Sequence, residues 1–135
     1  MKTLIVDDDF SSRQIMMKIL EKFGFTEFAI DGPGAIDTFR LALGSGKRYD
    51  LVMLDLVLPL KSGHDVLKEL RALEKEANLP PEKKSKVIII SSTTSSKHKL
   101  LAIKYGADKF LKKPINKEEL ISLIRSMKLI NGKAA

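Results

Sequence analysis

The chain has 135 residues, of which 44% are hydrophobic and 30% are charged, with 8 Gly, 5 Pro and no Cys. This length and composition are typical of one globular domain, and they exclude a disordered or collagen-like chain, a disulfide framework and a thiolate metal site. The net charge of +7 is unevenly spread: residues 1–81 carry 11 basic and 13 acidic side chains, whereas residues 82–135 carry 13 basic and 4 acidic ones. The basic second part favours a nucleic-acid interface, a basic docking surface for a protein, or simply a solvated lysine-rich surface.

The sequence predicts no membrane span and no secretory leader. Its longest uncharged apolar runs, residues 4–6 and 87–90, are far shorter than the roughly 20 residues that cross a bilayer. The first residues lead directly into a strand pattern, without the long apolar region and small-residue cleavage site of a signal peptide. We therefore expect a cytoplasmic chain with no membrane partner.

Five short apolar runs alternate with five amphipathic segments along the chain. The apolar runs predict strands at residues 4–6, 27–30, 51–54, 87–90 and 109–111. The other segments carry apolar residues at helical spacing and predict helices, with Leu41, Leu100 and Ile103 among the residues expected on their apolar faces. The charged connection at residues 74–85, which contains two adjacent prolines, is predicted to be the loosest segment.

This alternation of strands and helices predicts the fold class. Strands that alternate with helices form a five-stranded parallel sheet covered by helices on both faces, which is an α/β fold. In such sheets, ligands bind at the carboxyl ends of the strands, near a switch in strand order. Residues at those ends are therefore the first candidates for a functional site.

Acidic, hydroxyl and basic side chains follow four of the five predicted strands. Three aspartates at positions 7–9 follow the first strand, Asp55 the third, Ser91 the fourth and Lys113 the fifth. Three close carboxylates repel one another unless a cation lies among them. With oxygen ligands only, we expect Mg²⁺ first, and Mn²⁺ or Ca²⁺ next. Because Mg²⁺ binds carboxylates together with phosphate oxygens, the pattern also predicts a phosphoryl group held by the Ser91 hydroxyl and the Lys113 ammonium.

Each of these residues has a simpler interpretation when it is taken alone. A single aspartate after a strand is most often a helix cap or a turn residue, and Asp9 fits capping better than metal binding. Ser91 alone would be a turn residue, and Lys113 alone a solvated cation. Complementary groups at four strand ends together favour one shared site over four unrelated residues.

The order and spacing of these segments resemble one protein family. The segments that carry the resemblance are residues 4–9 (LIVDDD), 51–55 (LVMLD) with Pro59 and Gly63, 88–91 (IIIS) and 106–114 (GADKFLKKP). Together they resemble the receiver domain of two-component response regulators, of the stand-alone chemotaxis-like type, over essentially the whole chain. A phosphorelay intermediate and a receiver excised from a longer protein fit the same pattern. The resemblance implies a flavodoxin-like strand order 2-1-3-4-5, a single receiver domain at residues 1–130 and a short tail at 131–135.

The resemblance also implies a role for each residue of the site. Asp55 matches the aspartate that accepts a phosphoryl group from the phosphohistidine of a sensor histidine kinase or a phosphotransfer protein. Asp8 matches a direct Mg²⁺ ligand, and Asp7 matches an acidic partner that acts through water. Asp55 itself and the backbone carbonyl of Val57 complete the metal shell, with Mn²⁺ as a possible substitute. Lys113 matches the lysine that pairs with the acyl phosphate.

Ser91 and Phe110 match the switch residues of the family. Ser91 matches the hydroxyl that follows the phosphoryl group, and Phe110 the aromatic whose rotamer is coupled to that movement. A buried strand aromatic is an equally good interpretation of Phe110. Phosphorylation of Asp55 adds about two negative charges, which would bias the face formed by the fourth helix, fifth strand and fifth helix and so control a downstream protein. The bond between Lys113 and Pro114 is expected to be cis, as in the family.

Val57 is the main departure from the family pattern, in which a polar side chain is frequent two positions after the acceptor. Thr93, two positions after Ser91, is the other residue expected to control how water reaches the acyl phosphate. We expect Val57 to alter autodephosphorylation, in the direction of slower decay.

Two other functions compete with this interpretation. A Mg²⁺-dependent phosphatase of the haloacid dehalogenase type needs a second aspartate two positions after its nucleophile, where this chain has Val57. A nucleic-acid-binding protein would interleave basic residues with stacking aromatics, but residues 82–135 offer only Tyr105 and Phe110. We therefore predict a phosphoacceptor signalling protein that is not an ordinary enzyme, with nucleic acid an unlikely partner and no output domain in this chain.

Two further features complete the sequence-based expectations. His64 and His98 are solitary in the sequence and are predicted to be surface or packing residues. Six lysines are expected on or beside the fourth helix, fifth strand and fifth helix: Lys97, Lys99, Lys104, Lys109, Lys112 and Lys117. They favour a basic docking face for an acidic protein partner, with a merely solvated surface as the alternative.

Overall fold

The computed structural model describes residues 1–92 and 95–131. Within this part of the chain there are five strands: β1 (Lys2–Val6), β2 (Phe25–Ala29), β3 (Leu51–Asp55), β4 (Lys86–Ser91) and β5 (Lys109–Lys112). They alternate with five α-helices: α1 (Phe10–Leu20), α2 (Gly32–Gly44), α3 (Gly63–Glu76), α4 (Ser96–Lys104) and α5 (Lys117–Ser126). The prediction for Thr93 and most of the predicted tail lie outside the described residues.

The strands form one sheet in the order β2-β1-β3-β4-β5, and every pair is parallel. β1 lies between β2 and β3, so the strand order reverses at this point of the sheet. The loops that follow β1 and β3 therefore open side by side at the carboxyl edge, where α/β sheets bind ligands. The observed order confirms the predicted fold.

Apolar side chains cover both faces of the sheet. On one face, strand residues such as Leu4 and Val52 pack with Phe39, Leu67 and Ala102 from α2, α3 and α4. On the other face, the second core cluster combines strand residues with those of α1 and α5. All five residues of β3 are buried, because this central strand is covered on both sides. This packing holds the carboxyl edge of the sheet in a fixed arrangement.

Side-chain caps begin four of the helices. Asp9 accepts a hydrogen bond from Ser12 N at 2.9 Å and caps α1, which confirms the predicted capping role. Asp31, Ser62 and Asn116 cap α2, α3 and α5 in the same way. These short polar residues satisfy backbone N–H groups that a helix leaves unpaired in its first turn. Asp9 is thus explained by local structure, unlike the two aspartates before it.

The connection at residues 74–85 is anchored at both of its ends, and the looseness of the mostly exposed residues between them stays a prediction. Glu74 is fully buried in the last turn of α3, and its carboxylate accepts hydrogen bonds from Arg71 Nη1 and Ser85 N, both at 2.7 Å. Arg71 also donates to Gly106 O at 2.7 Å and to Asp108 Oδ2 at 3.1 Å. These bonds tie the end of α3 to the starts of β4 and β5. The charged sequence showed the polar groups but not their distant partners.

Several apolar helix residues are exposed, contrary to the sequence-based expectation. The exposed fractions are 74% for Leu41, 68% for Leu100 and 56% for Ile103. In the nine-residue helix α4, Ala102 is the one buried residue. A short helix contacts the sheet along a narrow stripe, so apolar residues that occupy more than that stripe remain in solvent. None of the described helices is long and apolar enough to cross a bilayer.

Candidate functional site

Three carboxylates converge at the carboxyl ends of β1 and β3. One oxygen from each of Asp7, Asp8 and Asp55 lies within 4.8 Å of the others. Asp7 follows β1 and Asp55 ends β3, and these strands are adjacent and parallel, so their ends meet. Asp7 and Asp55 are buried, whereas Asp8 is exposed. The cluster therefore has a buried inner wall and one side open to solvent.

Lys113 brings a positive charge into this cluster. Its ammonium nitrogen Nζ lies 2.8 Å from Asp55 Oδ2 and 2.9 Å from Asp7 Oδ2. Lys113 follows β5, and its backbone N donates to Ser91 O at the end of β4, at 2.9 Å. The bond between Lys113 and Pro114 is cis, as expected. The fold thus brings together residues that are up to 106 positions apart in the sequence.

Burial governs the electrostatics of the site. It raises the pKa of the Asp7 carboxyl, and the contacts with Lys113 Nζ and with Asp9 N offset this only in part. For the Lys113 ammonium, burial lowers the pKa, but the contacts with Asp55 and Asp7 outweigh burial and leave it raised. The Lys113 side chain therefore keeps its positive charge. When the three carboxylates are ionised, they exceed this single ammonium by two negative charges.

The donor atoms fit a hard divalent cation. The three candidate ligands are carboxylate oxygens, which Mg²⁺ prefers over nitrogen and sulfur. Asp7 Oδ2 is buried and, among the described residues, has no well-directed hydrogen bond beyond its 2.9 Å contact with Lys113 Nζ. A buried carboxylate oxygen with so few hydrogen bonds can still bind a cation, or a water molecule that a cation holds. The excess negative charge matches the charge of a divalent ion.

The loop after β3 holds the Asp55 carboxylate in place. Val57 N donates to Asp55 Oδ1 at 3.0 Å, and Gly63 N donates to Leu56 O at 2.9 Å. A Cβ on Gly63 would overlap Asp55 O and lie 2.6 Å from Leu56 Cα, so this close approach requires glycine. The sequence analysis noted Gly63 only as part of a family pattern and missed this contact. The Val57 side chain is 72% exposed.

Ser91 and Phe110 lie on neighbouring strands beside the site. Ser91 is buried at the end of β4, and Phe110 is half-buried in β5, where it is paired with Ile89. Phe110 lines a cavity of about 310 Å³ together with residues of α4 and α5, including His98. This cavity is next to the carboxylate cluster and does not contain it. The switch roles of Ser91 and Phe110 remain predictions.

Arg13 is a residue of this edge that the sequence analysis missed. Its Nη1 donates to Asp7 O at 3.0 Å, and its guanidinium lies 4.8 Å from the ring centroid of Phe28 and 5.8 Å from that of Phe10. Arg13 thereby fastens the first turn of α1 to the end of β1. One arginine among the polar residues of an amphipathic helix carries no signal for such a contact.

Comparison with known proteins adds independent evidence to this geometry. A family model described as the response regulator receiver domain matches residues 3–125. The chain belongs to this family. The receiver domain is 37% identical over 125 residues to the sensory transduction protein RegX3 of Mycobacterium tuberculosis (strain ATCC 25618 / H37Rv), in an alignment that covers 92% of this chain and 49% of RegX3. It is 33% identical over 127 residues to the transcriptional regulatory protein CpxR of Escherichia coli (strain K12), covering 93% of this chain and 48% of CpxR.

Solved structures agree with these matches. A CheY-like response regulator receiver domain protein from Methanospirillum hungatei JF-1 superimposes with a TM-score of 0.77 and 25% identity, covering 95% of this chain and 92% of that one. The family and the fold implied by the sequence are thus confirmed. Receiver domains are signalling phosphoacceptors that bind Mg²⁺ at an acidic pocket and interact with histidine kinases or phosphotransfer proteins. The chain spans about half the length of the curated relatives it matches.

Proposed function

We propose that this receiver domain accepts a phosphoryl group on Asp55 from the phosphohistidine of a sensor histidine kinase or a phosphotransfer protein. The observation that carries the proposal is the contact of the Lys113 ammonium with both Asp55 and Asp7, in a cluster that Asp8 completes. Residues 1–130 form the receiver unit in this proposal. We place the exchange in the cytoplasm, where ATP-dependent phosphorylation of kinase histidines takes place.

Asp55 is the nucleophile of the proposed transfer. One of its carboxylate oxygens attacks the phosphorus atom, the P–N bond of the donor phosphohistidine breaks, and the bonding electron pair stays on the imidazole nitrogen. The bonds from Val57 N to Oδ1 and from Lys113 Nζ to Oδ2 orient the carboxylate before the attack. Both donors belong to the chain itself, so the nucleophile is prepared before a donor arrives.

Asp7, Asp8, Asp55 and the backbone carbonyl of Val57 would hold Mg²⁺, or Mn²⁺ in its place. Such an ion supplies positive charge to the phosphoryl oxygens during transfer. Lys113 supplies a second positive charge, because its ammonium can follow Asp55 Oδ2 as this atom becomes part of an acyl phosphate. Asp7 also contacts the ammonium and limits the positions that it can take.

Ser91 and Phe110 carry the proposed signal away from Asp55. The Ser91 hydroxyl would bind a phosphoryl oxygen, which draws the end of β4 toward the site. Phe110 borders the cavity of about 310 Å³, which offers space for a change of its rotamer. The affected face consists of α4, β5 and α5, and it would control a downstream protein. Lys99 and Lys112 line the same cavity and favour an acidic partner.

Phosphoryl uptake from acetyl phosphate in the presence of Mg²⁺, measured by mass spectrometry, tests this proposal. We expect one added phosphoryl group on the wild-type chain and none after Asp55→Asn or after chelation of the metal. Asp9→Asn is the matched control, because asparagine also caps helices and Asp9 does not belong to the carboxylate cluster. Absence of uptake by the wild-type chain, or equal uptake by Asp55→Asn, would contradict the proposal.

Val57 provides a second measurement on the same site. Its side chain is exposed and apolar, so it cannot orient an attacking water by hydrogen bonding. We expect Val57→Asn to shorten the lifetime of the phosphorylated chain, with Val57→Ala as a control for side-chain size alone. Equal decay rates for the wild type and Val57→Asn would refute this role.

A further inference from the structure

His64 and His98 are far apart in the sequence but meet in the structure. His64 lies in the first turn of α3 and His98 in the first turn of α4, and His64 Nε2 is 3.1 Å from His98 Nδ1. The ring centroids are 5.3 Å apart and the ring planes differ by 15°. Because the centroid separation exceeds the nitrogen separation by about two ring radii, the rings meet nitrogen to nitrogen. This arrangement is an N–H···N hydrogen bond between two imidazoles, which we call the His64–His98 pair.

The surroundings of His64 decide which ring donates the proton. His64 Nδ1 is buried and has no hydrogen-bond partner among the described residues. A proton at this atom would be a buried donor without an acceptor, which is costly, so the proton of neutral His64 belongs on Nε2. His64 Nε2 therefore donates and His98 Nδ1 accepts. Neutral His98 then carries its own proton on Nε2, which suits an exposed side chain.

This assignment makes the pair dependent on the neutral state of both rings. A proton added to His98 Nδ1 removes the acceptor and sets two N–H groups against each other. A proton added to His64 Nδ1 creates a buried charged donor without a partner. Burial, followed by the charge of a protonated His98, lowers the pKa of His64, in agreement with this geometry.

The charged groups near the two rings are of both signs. Among the described residues, no carboxylate accepts a hydrogen bond from either ring. The titratable and charged groups around the pair are Asp65 and Lys68 on α3, Lys99 and Tyr105 from α4 and its end, Lys112 on β5, and Glu119 on α5. The Tyr105 ring meets His64 edge to face with centroids 5.9 Å apart, and Lys68 Nζ lies 4.8 Å from the Tyr105 centroid. These groups favour neutral His64 on balance, because its burial and Lys68 oppose a positive charge on this ring and outweigh Asp65.

α4 has few other contacts that could replace the pair. Ala102 is the one buried residue of this helix, and Leu100 and Ile103 point into solvent. We propose that the His64–His98 pair is a proton-controlled latch, which holds the first turn of α4 against α3 when both rings are neutral and releases it when either ring is protonated. The latch acts on α4 independently of phosphorylation at Asp55. Acidification would therefore loosen α4 without any kinase.

Amide hydrogen exchange of α4, followed by NMR, tests the latch. From pH 8 to pH 5.5 we expect the protection of α4 relative to α5 to fall about fivefold, the factor that corresponds to one net hydrogen bond of about 1 kcal/mol. The matched control is the double variant His64→Gln, His98→Asn. Its amide N–H and carbonyl oxygen can form a similar bond, and neither group titrates. We expect the protection of its α4 to be the same at both pH values, although all carboxylates of Asp7, Asp8 and Asp55 are retained.

Two further measurements keep the proposal open to refutation. His98→Arg places a permanent positive charge at the pair, and its α4 should show the low protection already at pH 8, while unchanged protection of α5 shows that the chain is folded. The chain contains two histidines, so ¹⁵N signals of both rings are easily assigned. At pH 8 both rings should be protonated at Nε2. A proton on Nδ1 of His64, or equal pH dependence of α4 in the wild type and the double variant, would overturn the latch.

Discussion

The two ends of the sheet both bury charged side chains, but they satisfy them differently. At the amino ends of β4 and β5, both carboxylate oxygens of Glu74 have a hydrogen bond, one from Arg71 and one from Ser85 N. At the carboxyl ends, Asp7 and Asp55 share one ammonium, and Asp7 Oδ2 has no other partner among the described residues. The buried carboxylate at the amino ends is thus fully paired, whereas the buried Asp7 carboxylate at the carboxyl ends keeps capacity for a further partner such as a cation.

The largest change in the free energy of unfolding is expected at the amino ends of β4 and β5, where the buried Glu74 carboxylate is fully paired. Arg71→Ala would leave the Glu74 carboxylate buried without its cation, and we expect it to lower the free energy of unfolding by about 3–5 kcal/mol. Urea denaturation followed by circular dichroism measures this loss. Lys68→Ala is the matched control, because Lys68 is an exposed cation of the same helix, and its removal should cost about 0.5 kcal/mol or less. A similar cost for both variants would show that the buried Glu74 carboxylate does not depend on its pairing with Arg71.

Gly63→Ala tests how tightly the carboxyl end positions Asp55. The added Cβ would overlap Asp55 O, so the loop after β3 must shift, and we expect a loss of about 2 kcal/mol in unfolding free energy. Phosphoryl uptake from acetyl phosphate should also slow. Gly44→Ala is the control, because a Cβ there has nothing within 4 Å, and alanine in a helix is favourable by about 1 kcal/mol. Unchanged uptake by Gly63→Ala would show that the loop tolerates displacement.

Neutralising one carboxylate at each end should change stability in opposite directions. In the absence of Mg²⁺, Asp7→Asn removes part of the excess negative charge, and we expect the free energy of unfolding to rise by about 1 kcal/mol. Glu74→Gln breaks a satisfied pair and should lower it by about 1–2 kcal/mol. Added Mg²⁺ should stabilise the wild type and Glu74→Gln but not Asp7→Asn. If Asp7→Asn and Glu74→Gln changed the free energy of unfolding in the same direction, the proposed difference between the two ends of the sheet would be wrong.

The smallest expected effect is a pH dependence of stability that arises from His64. Because burial lowers its pKa, the unfolded chain takes up a proton at a higher pH than the folded chain does. Stability is therefore fully present above the ordinary histidine range and is lost as the pH falls through that range and then through the lowered folded value. Asp7 acts in the opposite direction. Because its pKa is raised in the folded chain, its protonation as the pH falls favours the folded state.

Thermal unfolding between pH 8 and pH 5.5 measures this dependence. The double variant His64→Gln, His98→Asn retains Asp7 and should be less sensitive to pH than the wild type over this interval. If both chains lose the same stability, the dependence belongs to groups other than the His64–His98 pair.

Much of the site was predictable because its residues follow strands whose order the family pattern implies. Asp55 and Lys113 are separated by 57 residues, yet both follow parallel strands, so their meeting at one edge required only the topology. The capping role of Asp9 was predictable for a different reason, since a cap contacts only the next turn of its own helix.

Other contacts were beyond the reach of sequence patterns. Glu74 and Ser85 were assigned to a loose connection because their charge and turn signals are visible locally. The bonds of Arg71, by contrast, cross to Ser85, Gly106 and Asp108, which are 14–37 positions away. His64 and His98 looked solitary for the same reason, since they are 34 positions apart on different helices. Helical spacing also failed for Leu100 and Ile103, because periodicity marks an apolar side without showing whether another element covers it.

The amino-acid sequence alone thus determined the alternation of strands and helices, the family, and the set of acidic and basic residues at the carboxyl edge, because these depend on local periodicity and on order along the chain. The tertiary structure alone decided which buried charges are satisfied, why Gly63 must lack a side chain, and that the nitrogens of two histidines lie within hydrogen-bond distance. Each of these depends on distances of a few ångströms between residues far apart in the sequence, and hydrogen bonds and close contacts exist only when those distances are met.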